Sequence, residues 1–440
     1  MSEPAQALMR RLIQRTVHAV RHHFTSLAAM AMRLTGVAAG FVVMFLIGRW
    51  YGPVANGQYA IVTQTGMFLS VIAVGGLDLA VTREFSKAIA ENRKLARSTM
   101  LRVGLQAVGL ALVIMTGLLI GGDDLLALLG REGVPEDSVR IVCLIVLART
   151  LTRITAAMLR SQTDYVLGQA VELLFIPLIT IALLIAGVAR TVEEILWATA
   201  AAGLISASIG VAASLRHSST APGALQISSG VVFATAIPIW GMAVTQNLAD
   251  WYALAAVSAI SGLYDAGLFR VAAQYASVFS IVSAGLFGTF ATQISAAFYA
   301  GDKAKVAQLA GSATRLSAVI MLPIALLCAV FARQLLTIIG PEFASGERLL
   351  QALVIGQIAI ALSSPASLVL ALTGHPRMNF AITACIAVVV VVLAPFVVRE
   401  FGTLGAAIFV SLVLIGGNLA AHTLVRRLEG INALTGKLTR

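Results

Sequence analysis

Met378–Val398 (MNFAITACIAVVVVVLAPFVV) is 21 residues without one charge, and Thr403–Leu424 (TLGAAIFVSLVLIGGNLAAHTL) repeats the pattern after a four-residue break holding Arg399 and Glu400. At 1.5 Å rise per residue, about 20 residues cross the ~30 Å hydrocarbon layer of a bilayer. Neither run shows the period-2 alternation of a barrel strand, so both predict spanning helices, whose backbone groups are all satisfied within the segment. Ten further runs match them: Thr25–Gly48, Gln58–Leu79, Met100–Ile120, Ser138–Met158, Leu167–Ala189, Ile195–Leu215, Phe233–Val257, Ala266–Thr292, Ser312–Phe331 and Leu349–Leu372. Numbered in chain order these are spans 1 to 12, and the fold class is an all-α integral membrane protein.

Composition agrees. The 440 residues are 59% hydrophobic and 12% charged, against roughly 25% charged in soluble domains. That apolar excess excludes an ordinary soluble enzyme. The net charge of +11 would point to nucleic acid in a soluble chain, but here the basic residues sit in connectors and no nucleic acid is implied. Cys143, Cys328 and Cys385 fall inside apolar runs without CxxC spacing and read as apolar residues in lipid, neither disulfides nor metal ligands. No small-residue cleavage site follows the N-terminus, so span 1 is expected to be retained.

With the N-terminus placed in the cytoplasm, 20 Lys and Arg fall on the cytoplasmic side and 7 on the other. Arg102, Arg140 and Arg315, at span ends, are counted with the side they adjoin, and Arg33, Arg149, Arg153 and Arg270, deeper in spans, complete the 31. That asymmetry is the positive-inside pattern and predicts both termini on the cytoplasmic side. Residues 1–24 carry Leu8, Leu12, Val17, Val20 and Phe24 at helical spacing opposite Arg10, Arg11, Arg15 and Arg21, a basic amphipathic segment suited to an anionic leaflet.

The halves look related. Gly57-Gln58-Tyr59 and Gly262-Leu263-Tyr264 follow spans 1 and 7 at an offset of 205, and Leu129-Gly130-Arg131-Glu132 and Ile339-Gly340-Pro341-Glu342 follow spans 3 and 9 at 210. Two six-helix units in the same orientation form a parallel repeat. The expected organisation is an N-lobe over 25–215, a linker over 216–230, a C-lobe over 231–424 and a cytoplasmic tail over 425–440.

Several of these stretches resemble a known family. Arg49-Trp50-Tyr51-Gly52-Pro53 with Gly57-Gln58-Tyr59, Asp250 followed by Gly262-Leu263-Tyr264, Leu335–Ala344 (LLTIIGPEFA) and Leu370–Gly374 (LALTG) are similar to turns of Wzx-type polysaccharide flippases, in the multidrug/oligosaccharidyl-lipid/polysaccharide (MOP) exporter superfamily. The resemblance runs from about residue 25 to 424. It implies two lobes in a V, alternating access, and movement of an undecaprenyl-pyrophosphate-linked oligosaccharide for O-antigen, capsule or exopolysaccharide synthesis. It further implies polysaccharide polymerase and chain-length proteins as partners, no cofactor and no catalysed reaction.

Ionisable residues inside spans are costly, roughly 2.5–3.5 kcal/mol for a central Arg, and mark function or pairing. Arg149, Arg153 and Arg160 lie within about 40° on one helical face. They form a basic stripe toward the cytoplasmic mouth that would suit pyrophosphate, unless Glu172 pairs with it or Arg160 simply snorkels. Arg33 and Arg270 complete a candidate clamp drawn from both lobes, since the peptidoglycan-precursor branch of the family places cavity arginines on these helices. The alternative is snorkelling to opposite headgroups. Asp250, one turn after Asn247, is a candidate site for Na⁺ or a proton as coupling ion, or for an ion pair with an arginine. Asn418 and His422 read as interhelical hydrogen-bonding groups or interfacial residues. Pro177, Pro238, Pro323, Pro365 and Pro395 each free a carbonyl and permit a bend. Two other readings stay open: a MATE-type cation-coupled exporter, which calls for acidic cavities, and a membrane-embedded polymerase or glycosyltransferase, which calls for larger loops bearing paired carboxylates.

The charge split is directly testable. Reporter fusions after Arg97, Lys303 and Arg440 should read cytoplasmic, and fusions after Glu132 and Glu347 periplasmic; a periplasmic signal at Arg440 breaks the twelve-span topology.

Overall fold

The computed structural model describes residues 3–91, 94–129, 133–221, 223–373 and 375–438. In chain order the helices are α1 (Glu3–Val74), α2 (Leu77–Ala90), α3 (Arg97–Leu128), α4 (Ser138–Ser161), α5 (Tyr165–Gln169), a π-helical turn (Ala170–Leu174), α6 (Phe175–Ile185) and α7 (Val192–His217). They continue as α8 (Ser229–Ser261), α9 (Leu263–Tyr299), α10 (Lys303–Val330), α11 (Ala332–Thr337), a 3₁₀ turn (Pro341–Gly346), α12 (Glu347–Leu372) and α13 (Pro376–Glu429). A hairpin of β1 (Ile431–Asn432) and β2 (Lys437–Leu438) closes the chain. Of the turns named above, Gly130–Glu132 and Gly374 lie outside the described residues, as do the side chains that would form the amphipathic N-terminal face. The backbone of residues 3–24 runs directly into α1.

Two of these helices fold back on themselves. α1 breaks at Gly52 (φ 81°, ψ −175°) and α13 at Gly402 (φ 62°, ψ −161°). Asn56 Nδ2 donates to Met44 O at 3.1 Å across the first break, so its arms run antiparallel. Counting each arm as one pass, and joining α5 to α6 through the π turn, the chain makes about twelve traverses in two six-helix lobes, as the hydropathy runs predict. Side chains on the outer faces are apolar and exposed, among them Leu105 (69%), Ile120 (83%) and Val319 (70%). Surfaces of that kind are stable against lipid and aggregate in water.

The structure corrects the register of the repeat. α8 ends and α9 begins at Gly262 (φ 92°, ψ 173°), the same backbone state as Gly52. Only glycine adopts it without strain. Gly52 therefore corresponds to Gly262 and Gly57 to Gly267, an offset of 210 rather than the 205 that pairs Gly57 with Gly262. The shift matches the 210 seen at Ile339–Glu342. It also brings α4 onto α12 and the start of α7, Val192, onto Gly402. One ungapped register relates the halves.

The lobes meet across a seam that obeys this register. A Cβ on Gly57 would lie 2.0 Å from Leu263 O, and a Cβ on Gly267 would lie 2.0 Å from Pro53 O. The two approaches are each other's repeat images and press α1 against α9. Deeper in, Trp251 Nε1 donates to Thr65 Oγ1 at 2.9 Å; the repeat image of that contact is the Phe41–Tyr275 edge-to-face pair, with centroids 4.9 Å apart. Phe68 stacks on Trp251 at 4.8 Å. The ends of the lobes are also equivalent. After α7, Ser219 and Leu225 dock on the loop before α3 through Ser219 N to Leu95 O and Ala96 N to Leu225 O, both at 2.9 Å, and the C-terminal hairpin docks on α10 through Thr314 Oγ1 to Ala433 O at 2.9 Å. Outside the spans, Glu84 bridges the lobes by accepting from Thr235 at 3.1 Å. Hydrogen bonds from Lys87 first, then Thr235, outweigh burial and hold its carboxyl below the usual range.

A side chain cannot be inserted at either glycine without parting α1 from α9. Gly57→Leu and Gly267→Leu should each destabilise the protein by about 1–3 kcal/mol, the usual cost of overpacking, and the double variant should cost less than the sum because both act on one seam. Thermal unfolding of the purified protein measures this; unchanged melting in either variant refutes the close crossing.

Candidate functional site

Two cavities lie between the lobes, a few residues beyond the glycine seam. The first, about 200 Å³, is lined from one lobe by Gly36, Gly40, Tyr59, Gln64 and Arg149 and from the other by Arg270 and Gln274. The second, about 260 Å³, is lined by Asn247, Asp250, Trp251, Arg270 and Gln357, with Gln64 again at the edge. Arg270 and Gln64 form the partition. With its amide oxygen turned to Arg270, Gln64 accepts from both guanidinium nitrogens, at 3.2 and 2.5 Å.

Arg149 owes its position to a backbone irregularity. α5 widens into the π turn Ala170–Leu174 one turn before Pro177. Pro177 has no N–H to return to that turn, and π turns leave carbonyls available to outside donors. Two are taken: Val171 O by Ser206 Oγ at 2.7 Å and Glu172 O by Arg149 at 3.2 Å. Arg149 is thus oriented by a neutral group and keeps its charge for the cavity. Beside it the Tyr59 hydroxyl lies 3.4 Å from Thr199 Oγ1.

The basic stripe of α4 does not act as one face. Arg153 places Nε and a terminal nitrogen on Asp78 Oδ2, at 3.1 and 2.9 Å. Asp78, in the first turn of α2, is 6% exposed. Arg160 pairs with the Glu172 carboxylate. Of the three, Arg149 lines the first cavity, and Arg153 and Arg160 line neither of the two. Arg33 is exposed on α1, three residues before cavity-lining Gly36, and lines neither cavity. Asn247 and Asp250 both line the second cavity; Asp250 is exposed to it, while Asn247 Nδ2 is spent on Ala243 O at 2.8 Å. Asn418 bonds within its own helix, to Leu414 O at 2.9 Å. Among the described residues no group of three or more His, Cys, Asp and Glu could hold a metal ion.

Sequence reasoning missed Tyr59, Gln64 and Gln274. The last two were findable: they stand 210 residues apart, at the same position of each repeat, and both line the first cavity.

No protein-family model matches the chain, and no curated protein matches it in sequence. Solved structures match its fold. An inward-facing multidrug resistance MATE family transporter of the MOP superfamily is 13% identical, with TM-score 0.72 over 92% of this chain and 98% of that one. The lipid II flippase MurJ in an inward closed conformation is 13% identical, with TM-score 0.67 over 92% and 87%. A MOP superfamily transporter from Pyrococcus furiosus Vc1, described as having a binding pocket of reverse polarity that suggests a different function, is 12% identical, with TM-score 0.61 over 92% and 95%. The chain thus shares the fold of MOP superfamily transporters.

The partners of the α4 arginines set opposite expectations for their loss. Arg153→Ala strands the Asp78 carboxylate and should cost about 3–5 kcal/mol, as breaking one side of a buried pair does, with loss of membrane-inserted protein. Arg153→Met combined with Asp78→Leu should recover abundance. Arg149→Ala should leave abundance near wild type. Immunoblotting of membranes checks all three, and normal abundance of Arg153→Ala would remove its structural role.

Proposed function

We propose that this chain is an alternating-access transporter that moves an anionic, lipid-linked oligosaccharide across a bacterial inner membrane, with an undecaprenyl-pyrophosphate carrier as the chemical class. The observation that carries this reading is the pair Arg149 and Arg270. They come from different lobes and line one cavity, and among the described residues neither has a carboxylate within 4.0 Å. Two guanidinium groups with no carboxylate in contact are expensive in a low-dielectric cavity unless an anion visits. The planar fork of Arg suits phosphate oxygens, and Tyr59, Gln64 and Gln274 offer the neutral hydrogen-bonding groups that sugar hydroxyls need. The shared fold supports transport, and a lipid II flippase is among its neighbours.

In this reading substrate binds while the glycine seam closes one end of the cavities, and opening of the seam releases it on the other side. Asp250 in the second cavity takes Na⁺ or a proton, and its charge state tunes the field at Arg270 across the same cavity. Both termini lie in the cytoplasm. Polymerase and chain-length proteins acting on the delivered glycan are the natural partners.

Purified protein in liposomes carrying an undecaprenyl-pyrophosphate-linked saccharide tests the reading through leaflet transfer. Arg149→Ala and Arg270→Ala should each slow transfer about 10- to 100-fold, the value of one or two charge-assisted hydrogen bonds. Arg→Lys should restore part of it, and Asp250→Asn should abolish dependence on the ion gradient. Normal transfer by both alanine variants, or transport of a cationic dye in place of the saccharide, overturns it in favour of a cation exporter.

A further inference from the structure

One residue of the π turn serves two arginines of α4. The Glu172 carbonyl accepts from Arg149 at 3.2 Å, and the Glu172 carboxylate pairs with Arg160. Those arginines stand 11 residues apart in the chain, about 16 Å at helical rise. The acid therefore reaches along α4, away from the cavity that Arg149 lines. We propose that Arg160 is a specificity-determining residue: it draws the Glu172 carboxylate off Arg149 and so keeps the first cavity a site for an anion. The inference rests on the transport reading above.

Three observations carry it. The first is reach. Glu172 already touches Arg149 through its own carbonyl, so the same guanidinium lies within the swing of its side chain. The second is how Arg160 is seated. A Cβ on Gly168 would lie 2.9 Å from Arg160 Cγ and 3.0 Å from Ala156 O. That glycine lets α5 close on α4 and leaves the arginine stem its place. The side chains of Arg160 and Glu172 are 20% and 23% exposed, so salt screens their attraction only weakly. The third is the other lobe. At the 210-residue offset Arg149, Arg160 and Glu172 become Ala359, Leu370 and Ile382. There α13 runs as unbroken α-helix where the N-lobe has its π turn, and Leu370 and Ile382 belong to one apolar cluster. Spans 10 and 11 thus pack at this level through aliphatic side chains. The ion pair is no requirement of the fold; it occurs in the lobe whose chamber holds Arg149.

The consequence follows from the cost of an unpaired charge in apolar surroundings. With Arg160 gone, the Glu172 carboxylate has one cation in reach, Arg149. A carboxylate in the guanidinium fork occupies the positions that phosphate oxygens take. Glu172 then acts as a competitor built into the chain. A competitor raises the substrate concentration needed for half-saturation and leaves the maximal rate alone. With Arg160 present, the two arginines divide one residue between them: the mouth takes its charge, and the cavity takes its neutral carbonyl.

The test measures leaflet transfer of an undecaprenyl-pyrophosphate-linked saccharide by full-length protein in liposomes, over a range of substrate and at equal incorporated protein. Arg160→Met should raise the half-saturating concentration about tenfold, the value of one charge-assisted hydrogen bond, at a near-normal maximal rate. Glu172→Asp keeps the charge but shortens its reach to Arg160, and should raise it several-fold. Glu172→Gln removes the charge and should lower it. Arg160→Met combined with Glu172→Gln should match Glu172→Gln alone, and Arg160→Met added to Arg149→Ala should have no further effect. Glu172→Asp carries the test if Arg160→Met fails to reach the membrane. A pair that only joins spans 4 and 5 gives a different order: Glu172→Gln is then as damaging as Arg160→Met, with loss of abundance or melting temperature, and the proposal is overturned. A defect in Arg160→Met that Glu172→Gln does not relieve overturns it in favour of direct contact between Arg160 and the cargo. Normal half-saturation in both Arg160→Met and Glu172→Asp overturns it as well. Each of these results leaves the transport reading intact. A wild-type chain that moves no lipid-linked saccharide overturns the transport reading, and this inference with it.

Discussion

The close crossing of α1 and α9 governs the rest of the molecule. Gly57 and Gly267 bring two backbones to a separation at which a single methyl group at either position would strike a carbonyl oxygen. Glycine-only turns at Gly52 and Gly262 aim the two helices into that crossing. Tyr59 stands two residues beyond one crossing glycine, and Arg270 three beyond the other. Seam and cavity are therefore neighbouring turns of the same helices. If α1 and α9 separate at the seam, Arg270 must move relative to Gln64, so access and ligand contacts are mechanically one event.

Electrostatics divides the arginines inside the membrane into two groups. Arg153 and Arg160 face Asp78 and Glu172, and each pair repays part of the desolvation that burial imposes. Arg149 and Arg270 are oriented instead by a π-turn carbonyl and a glutamine amide. A carbonyl or amide dipole fixes a guanidinium without cancelling its charge. That is the condition a site for an anion requires, because a carboxylate already in the fork would compete with the ligand.

Hydropathy made the twelve spans legible, since lipid demands about 20 apolar residues per pass regardless of sequence detail. The repeat was visible too, but its register was not. Gly57-Gln58-Tyr59 and Gly262-Leu263-Tyr264 share letters, whereas the backbone state that matters belongs to Gly52 and Gly262, and φ is not written in a motif. The partners of the α4 stripe were hidden for a similar reason. Helical periodicity correctly places Arg149, Arg153 and Arg160 on one face, but two elements pack along that face: Glu172 of the π turn gives Arg149 its carbonyl and Arg160 its carboxylate, and α2 gives Arg153 Asp78. Asp78 sits at the end of an apolar run 75 residues away, where no spacing rule reaches it.

The same repeat explains where the chemistry sits. Glycines that shape the backbone keep their identity across the 210-residue offset, Gly52 with Gly262 and Gly57 with Gly267, and so does one neutral cavity pair, Gln64 with Gln274. The charged cavity residues break it. Arg270 corresponds to Ala60, Arg149 to Ala359, and Asp250 to Gly40. A two-fold frame is needed for two lobes to rock about a common seam, so its glycines are duplicated. On the transport reading proposed above, a pyrophosphate-linked glycan has no two-fold symmetry, and a symmetric ring of four arginines would be harder to bury than two. The seam glycines are therefore duplicated, while Arg149, Asp250 and Arg270 are not. Gly40 shows the exchange at one position: the site equivalent to Asp250 carries no side chain, and a Cβ there would meet nothing within 4 Å, which leaves room in the first cavity opposite the charge that its partner supplies to the second.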